Sequence, residues 1–243
     1  MTSTQQPWLE SNLIRILRER GVDCQSDYRS LLGAYDSNHP EWRALASSIA
    51  AHETRFFRAP RAIQQIQEYA SVYDRPLRIW SAGCSYGHEP YSVALALAEV
   101  NNYRHGIIGS DFSQKCIEIA QTGVYPIEQL SQLGAIHNPD QHIQQISETS
   151  FAFTDRIKDL MVFRCENIME FLSTAYQPNY DIIICLNLMI YYKPQIREAL
   201  ARSLAKALVK GGVLIVGPLE LRGYVPPGMD RIENRHLSVL VAQ

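Results

Sequence analysis

The stretch that decides the fold is RIWSAGCSYGHEPYS, residues 78–92. An apolar run that ends at Ala82 is followed by a tight turn and by a helix that Pro90 opens, because proline lacks an N–H that would be unpaired at a helix start. Gly83 and Gly87 let the backbone of the turn approach a ligand closely. The stretch therefore predicts a strand, a turn and a helix, with a ligand at the turn. It lacks the GxGxxG spacing of dinucleotide sites and the Lys and Ser/Thr of a phosphate-binding loop.

Short apolar runs alternate with amphipathic segments from residue 76 onward, which is typical of an α/β protein with a parallel sheet covered by helices on both faces. Residues 125–159 are longer than a usual connection, and we expect them to hold a small structure with a hairpin around residues 150–154. The strand candidates are Leu77–Ala82, Gly106–Ser110, Met161–Phe163, Asp181–Cys185 and Gly212–Val216, and the helix candidates are Pro90–Val100, Gln114–Thr122 and Pro194–Val209.

The first sixty residues lack strand-like alternation and place apolar residues at helical spacing. Gly21 would end a first helix, and Ser26 or Asp27 would cap a second. We predict a small all-helical domain over residues 1–62 and a second domain over residues 63–243, which holds an inserted subdomain at about 126–160. The helix candidates of the N-terminal part are Leu9–Leu17, Tyr28–Leu32, Glu41–Ala51 and Pro60–Tyr73.

The composition limits the possible functions. Of the 243 residues 46% are hydrophobic, and 23 Lys or Arg residues against 25 Asp or Glu residues give a net charge of −2. This balance provides no basic field for non-specific binding of nucleic acid. No apolar run approaches the roughly 20 residues that cross a bilayer, and residues 1–7 are polar, so we expect a soluble cytoplasmic protein. The five cysteines form no CxxC pair, and no metal site is expected.

Two acidic residues follow the first two predicted strands. Glu89, beside a helix start, would repel a phosphate but suits an amine or a sulfonium group, although it could also merely cap its helix. Asp111, 24 residues beyond Gly87, can accept both hydroxyls of a ribose, although an aspartate at a strand end is often a helix cap. Together they indicate a nucleoside with a cationic partner, which is S-adenosylmethionine.

The sequence resembles the glutamate O-methyltransferases of chemotaxis receptors, the CheR type, from about residue 13 to residue 242. The segments that carry the resemblance are HETRFFR at 52–58, SAGCSYGHEPYS at 81–92, SD at 110–111, TGVY at 122–125, ENI at 166–168, CLNLMIYY at 185–192 and the stretch 210–220.

The resemblance implies a Rossmann-like domain that binds S-adenosylmethionine, preceded by a helical domain, and a methyl-accepting chemotaxis receptor as the partner. It places Arg58 and Tyr191 next to the transferable methyl group as the catalytic residues. Tyr192, at the same predicted strand end, we expect to be a core aromatic residue. The cofactor contacts that it implies are His52, Thr54, Arg58, Ala82, Gly83, Glu89, Asp111, Phe112, Asn167, Ile168, Asn187 and Leu188.

Three departures from the family pattern concern receptor recognition more than cofactor binding. His52 stands where the family usually has Asn, Leu186 stands where it usually has Arg, and residues 125–163 lack the Gly-rich tip of members that grip a receptor's C-terminal peptide.

The implied chemistry is coherent, because a glutamate carboxylate with a pKa near 4.3 is already ionised at neutral pH and needs no general base. Arg58 suits the acceptor carboxylate, since a guanidinium can bind it in a bidentate manner. It could instead be a surface arginine beside Phe56 and Phe57.

Two other functions remain open. One is a non-catalytic module that binds the cofactor, and the other is methylation of a different acceptor, a small acid or a nucleic-acid amine. Asn187 is followed by Leu188 and Met189, whereas amino-methyltransferases of nucleic acid typically carry a (D/N)-P-P-(F/Y) motif there, so we do not expect a nucleic-acid partner.

Overall fold

A computed structural model of the chain describes residues 6–22, 24–35, 39–49, 53–100, 104–134, 139–171, 179–234 and 237–243. It divides into two compact units, Met1–Glu53 and Thr54–Gln243. The domain limit drawn from the sequence at residues 62 and 63 stays a prediction. In the described part of the chain, no helix has the length and apolar character needed to cross a membrane.

The first unit is helical, with α1 at Gln6–Glu19, α2 at Gln25–Gly33 and α3 at Pro40–Ile49. Its core is formed by Ile16, Leu17, Tyr28 and Leu32, which are buried at helical spacing. The N-cap of α2 is Cys24, in an extended conformation, and not Ser26 or Asp27 as the sequence suggested. The prediction was wrong because the helix begins earlier, so that both polar residues lie in its first turn.

The second unit contains all five predicted strands and the three helices predicted between them, with ends that differ from the prediction by four residues or fewer. The helices are α4 Pro60–Ser71, α5 His88–Glu99, α6 Gln114–Thr122, α7 Asp155–Lys158, α8 Ile168–Phe171 and α9 Pro194–Lys206, with 3-10 helices at Ile127–Leu133, Pro139–Gln141 and Met189–Tyr191. The strands are β1 Arg78–Ala82, β2 Gly106–Asp111, β3 Val124–Pro126, β4 Ile143–Gln145, β5 Ser150–Phe153, β6 Met161–Cys165, β7 Tyr180–Cys185, β8 Leu208–Val216, β9 Met229–Asn234 and β10 Leu237–Ala242.

Seven strands form the central sheet in the order β6-β2-β1-β7-β8-β10-β9. The five predicted strands are parallel to one another, while β10 runs antiparallel to both of its neighbours. The predicted α/β fold class is confirmed, but the sheet is mixed rather than parallel. The sequence analysis missed β9 and β10, although the apolar run LSVLVA of β10, buried between two strands, could have revealed it.

Helices cover both faces of the sheet, as predicted. Successive residues of β7 point to opposite faces, so that Ile182 and Ile184 join the core that contains Val93 of α5, whereas Ile183 packs in the core that contains Leu200 of α9. Both cores lie against the same strands, and their packing fixes the ends of those strands relative to one another.

A small antiparallel sheet, in the order β3-β5-β4, occupies the long connection after α6. Its aromatic residues Tyr125, Phe151 and Phe153 surround Phe56, with ring centroids 4.9–6.3 Å from that ring. These contacts of Phe56 anchor the segment that precedes α4 to the small sheet. The turn between β4 and β5, residues 146–149, contains no glycine.

Candidate functional site

The predicted polar residues meet at one edge of the central sheet. Glu89, Asp111, Asn167 and Asn187 lie at or just after the carboxyl ends of β1, β2, β6 and β7, which are parallel and adjacent. In open α/β sheets this edge is the usual place for a ligand. Glu220, which follows β8, joins the set, and the sequence analysis gave it no role.

The turn after β1 packs tightly on its neighbours. The N–H groups of Gly83 and Cys84 donate to the carbonyl of Ser110 at 2.8 and 2.9 Å, which ties the turn to the end of β2. Gly83 has φ +81°, and a Cβ added there would lie 3.0 Å from Cδ2 of Leu188. Ala82 is buried beneath it. The turn thus needs glycine at residue 83 and contacts the loop after β7.

Glu89 lies in the first turn of α5, but it does not cap that helix. The N-cap is Gly87, and Oε1 of Glu89 accepts a hydrogen bond from Oγ of Ser81 at 2.6 Å. Burial raises the pKa of Glu89 to about 7, against the opposing effect of the Ser81 hydrogen bond. The charge of Glu220 raises this pKa further and that of Arg58 lowers it. A ligand cation beside Glu89 would favour its ionised form.

Asp111 is buried and joins two turns. Its Oδ2 accepts from the N–H of Ser85, and its Oδ1 accepts from the N–H of Ser113, both at 2.9 Å. The N-cap of α6 is Ser113, whose Oγ accepts from the N–H of Cys116. Asp111 is therefore not the helix cap, and each of its carboxylate oxygens has a further lone pair for a ligand hydroxyl.

The end of β6 lies beside the end of β2. The N–H of Glu166 donates to the carbonyl of Asp111 at 2.9 Å, and the thiol of Cys165 donates to the carbonyl of Phe112 at 3.5 Å. Asn167 uses its Oδ1 to accept from the N–H of Met169 at 3.0 Å, so its amide NH₂ is the group that could donate to a ligand.

Ile168, the residue that follows Asn167, is buried in the core of the α9 face. Leu186 packs against the core on the opposite face, the one that contains α5. Both are apolar side chains beneath the carboxyl edge, Ile168 buried and Leu186 partly buried.

The loop after β7 carries three predicted residues, Asn187, Leu188 and Tyr191. Asn187 has φ +59°, in the left-handed backbone region that residues other than glycine rarely adopt. The N–H groups of Leu188 and Met189 donate to the buried Glu220. The pKa of Glu220 is raised, because its burial outweighs the backbone hydrogen bonds, which lower it. These bonds fix the start of the loop.

The two tyrosines of this loop differ in exposure. Tyr191 is 57% exposed, whereas Tyr192 is partly buried. Burial raises the pKa of Tyr192, and the charge of Asp111 raises it further, so its phenol lies in the field of the Asp111 carboxylate. The catalytic role of Tyr191 and the structural role of Tyr192 stay predictions.

The segment of Thr54, Phe57 and Arg58 is attached to the start of α5. The N–H of Phe57 donates to Oγ of Ser92 at 2.8 Å, and Phe57 has φ +51°. Thr54 is half-buried and Arg58 is exposed. Because the charge of Arg58 lowers the pKa of Glu89, the guanidinium lies on the Glu89 side of the site. The remaining predicted contact, His52, lies outside the described residues.

His88, beside Glu89, belongs to the aromatic cluster rather than to the site. Its Nε2 pairs with Oε1 of Gln129 at 2.9 Å, its ring lies 4.4 Å from Phe56, and burial lowers its pKa. Across the described ranges, no group of three or more His, Cys, Asp or Glu residues is arranged to hold a metal ion.

Comparison with known proteins identifies a family. The family described as "CheR methyltransferase, SAM binding domain" matches residues 52–223. The chemotaxis protein methyltransferase of Salmonella typhimurium is 29% identical over 220 residues, which are 86% of this chain and 74% of that protein. That of Vibrio parahaemolyticus is 30% identical over 190 residues, covering 73% of this chain and 67% of that protein.

A second kind of relative is named for biofilm formation. The probable biofilm formation methyltransferase WspC of Pseudomonas aeruginosa is 30% identical over 202 residues, 79% of this chain and 47% of that protein. Among solved structures, magnesium protoporphyrin IX methyltransferase from Synechocystis, with S-adenosylmethionine bound, has a TM-score of 0.44 at 16% identity and covers 94% of this chain and 96% of that one.

Proposed function

The chain belongs to the CheR methyltransferase family, and from this premise we propose that it forms methyl esters on glutamate side chains of a methyl-accepting chemotaxis receptor. It is a transferase that uses S-adenosylmethionine. The proposal includes the cytoplasmic location expected from the sequence.

The observation that carries the proposal is the pairing of Glu89, in the first turn of the helix that follows β1, with Asp111, the last residue of the adjacent β2, within the family's own domain. Glu89 is partly buried, and among the described residues Ser81 provides the one hydrogen bond to its carboxylate, so it suits an amine or a sulfonium. Asp111 suits the ribose hydroxyls, and Gly83 allows close approach of the backbone. The residues present therefore fit the cofactor.

The cofactor supplies, when bound, a methyl group on a positively charged sulfur. The chain's own residues have to bind, orient and desolvate the acceptor. Arg58, exposed on the Glu89 side, would hold the acceptor carboxylate through a bidentate interaction. Positioning of this kind can lower a barrier by about 7 to 11 kcal/mol in well-oriented intramolecular cases.

No proton has to be removed from the acceptor, because a free glutamate side chain is ionised at neutral pH. This agrees with the roles proposed for the acids of the site, since Glu89 and Asp111 are both assigned to the cofactor. Transfer to a cationic amine would need a proton acceptor, and the proposed roles leave neither carboxylate for that purpose.

The product tests the proposal. The protein is incubated with methyl-labelled S-adenosylmethionine and a receptor cytoplasmic fragment, and mild alkali is then added. We expect volatile labelled methanol, since alkali cleaves methyl esters, and no label on a fragment whose acceptor glutamates are replaced by alanine.

Two other results would contradict the proposal. Label that alkali leaves on the acceptor would indicate nitrogen chemistry. Binding of the cofactor without incorporation into any acidic acceptor would favour a non-catalytic module.

A further inference from the structure

The buried carboxylate of Glu220 accepts hydrogen bonds from backbone N–H groups of two loops. The N–H groups of Leu188 and Met189 donate to its Oε1 at 2.8 and 2.9 Å, and that of Gly217 donates to its Oε2 at 2.5 Å. The residue is 2% exposed. A buried carboxylate is unfavourable unless hydrogen bonds compensate it, so these donors are needed. Glu220 thus joins the loop after β7 to the loop after β8.

Arg197, on α9, makes the complementary contacts with carbonyl groups. Its Nε donates to the carbonyl of Tyr192 at 2.7 Å, and its two terminal nitrogens donate to the carbonyls of Ile190 at 3.2 Å and Glu220 at 3.3 Å. A guanidinium has five N–H donors in a rigid plane, which lets one side chain hold several carbonyls at fixed positions. Arg197 therefore joins the same two loops from the other side.

The two side chains act on opposite ends of one segment, Asn187–Tyr192. Glu220 takes N–H groups near its start, and Arg197 takes carbonyl groups near its end. Within this segment Asn187 sits at φ +59°, in the left-handed region, and the contacts of Glu220 and Arg197 hold the backbone that follows it. The segment ends in the exposed Tyr191 and the partly buried Tyr192.

We propose that Glu220 and Arg197 are positioning residues for methyl transfer, which hold Asn187 and Tyr191 in place through the backbone of the Asn187–Tyr192 segment. This inference rests on the proposed function. Neither residue is catalytic, because both oxygens of Glu220 are bonded to backbone and Arg197 is directed at carbonyl groups of the protein. A displacement of about 1 Å in a positioned group can lower a rate about 100-fold.

The test uses Glu220→Gln and Arg197→Lys in the full chain. The amide of Gln turns an NH₂ group toward at least one backbone N–H, and Lys cannot span the separate carbonyls. We expect kcat to fall about 30-fold or more in each variant, while the Kd for S-adenosylhomocysteine rises about fivefold or less. Hydrogen exchange at the amides of Leu188 and Met189 should become at least about tenfold faster.

Arg202→Lys is the matched control, since Arg202 lies on the same helix and donates to the hydroxyl of Tyr224 at 3.0 Å. It should leave turnover and exchange unchanged. The double variant Glu220→Gln/Arg197→Lys should have a kcat only slightly below that of the less active single variant, because both changes release the same segment.

Three results would overturn the inference. They are exchange at Leu188 and Met189 within twofold of wild type in both variants, turnover within twofold despite fast exchange, and faster exchange across all strands, which would indicate general destabilisation. If Glu220→Gln does not fold, Arg197→Lys decides alone. If the wild-type chain fails to methylate the receptor fragment, the proposed function is wrong, and the exchange and affinity measurements still decide whether these residues hold the segment.

Discussion

The helix after β1 and the loop after β8 each place a glutamate at the carboxyl edge of the sheet, Glu89 partly buried and Glu220 fully buried, and their carboxylates have different hydrogen-bond partners. Glu220 accepts hydrogen bonds from backbone N–H groups that include those of residues 188, 189 and 217. For Glu89, the described residues provide one hydroxyl, that of Ser81. The carboxylate of Glu220 is thus occupied by backbone donors, whereas that of Glu89 can still accept hydrogen bonds from a ligand.

This difference separates a structural acid from one available to a ligand. The pKa of Glu89 is raised to about 7, mainly by burial and further by the nearby charge of Glu220. A carboxylate held in this way is costly to the ligand-free protein and favourable once a cation arrives, and such groups are concentrated at functional sites. We therefore expect substitutions of the two glutamates, and of the arginine near Glu89, to have different consequences.

The largest effect is expected at Arg58, the cation on the Glu89 side. Arg58→Ala should lower kcat about 100-fold or more, with the affinity for S-adenosylmethionine changed by less than about fivefold, because the guanidinium mainly orients the acceptor carboxylate. Steady-state kinetics with a receptor fragment and calorimetry with the cofactor measure the two quantities.

Arg55→Ala is the control, since Arg55 is exposed in the same segment. It should leave both quantities unchanged. Unchanged turnover in Arg58→Ala would show that Arg58 is a surface arginine beside Phe56 and Phe57. It would then have no role in catalysis near Glu89.

The elements around this edge could be predicted from sequence because their signals are local. The apolar run before Gly83 and the proline at residue 90 predict β1 and α5, and Gln114–Thr122 is found with the predicted limits. The turn after β1 then brings Glu89, in the first turn of α5, and the end of β2 brings Asp111 to the same edge of the sheet. The family resemblance was confirmed, while the roles of the individual site residues stay predictions.

The role of Glu220 could not be predicted, because its partners are backbone N–H groups. The sequence separation between Glu220 and Leu188 is 32 residues, and no side-chain pattern marks a backbone donor. The left-handed conformation of Asn187 is equally hidden, since asparagine gives only a weak preference for it. What could have been found was β10, whose apolar run was overlooked.

The next effect in size concerns pH. With a pKa of about 7, Glu89 is mostly protonated at pH 6 and mostly ionised at pH 7.5, and a cationic ligand needs the ionised form. We expect the Kd for S-adenosylmethionine to rise about eightfold as the pH falls from 7.5 to 6, with proton release on binding at the lower pH.

Calorimetry in buffers of different ionisation enthalpy measures both the affinity and the protons released. In Glu89→Gln the affinity should be lower, and its dependence on pH should lose this component. An equal pH dependence in the wild type and in Glu89→Gln would assign the titration to another group. Glu89 would then not be the carboxylate that responds to the ligand.

The smallest effect concerns the stability of the ligand-free protein. The pKa of Glu89 in the folded protein, about 7, lies above its usual value near 4.5. The stabilisation linked to this shift is therefore present below about pH 4.5 and is lost as the pH rises through 7. At pH 8 the ionised Glu89 opposes folding, and Glu89→Gln should raise Tm by about 3 to 6 °C, from about 1 to 2 kcal/mol in a protein of this size. At pH 5 the gain should be close to zero.

Glu220→Gln should lower Tm at both pH values, because an amide cannot accept hydrogen bonds with both of its terminal atoms. Thermal unfolding of the two variants at pH 5 and pH 8 measures this, and shifts of the same sign at pH 8 would mean that the fold treats the two carboxylates alike.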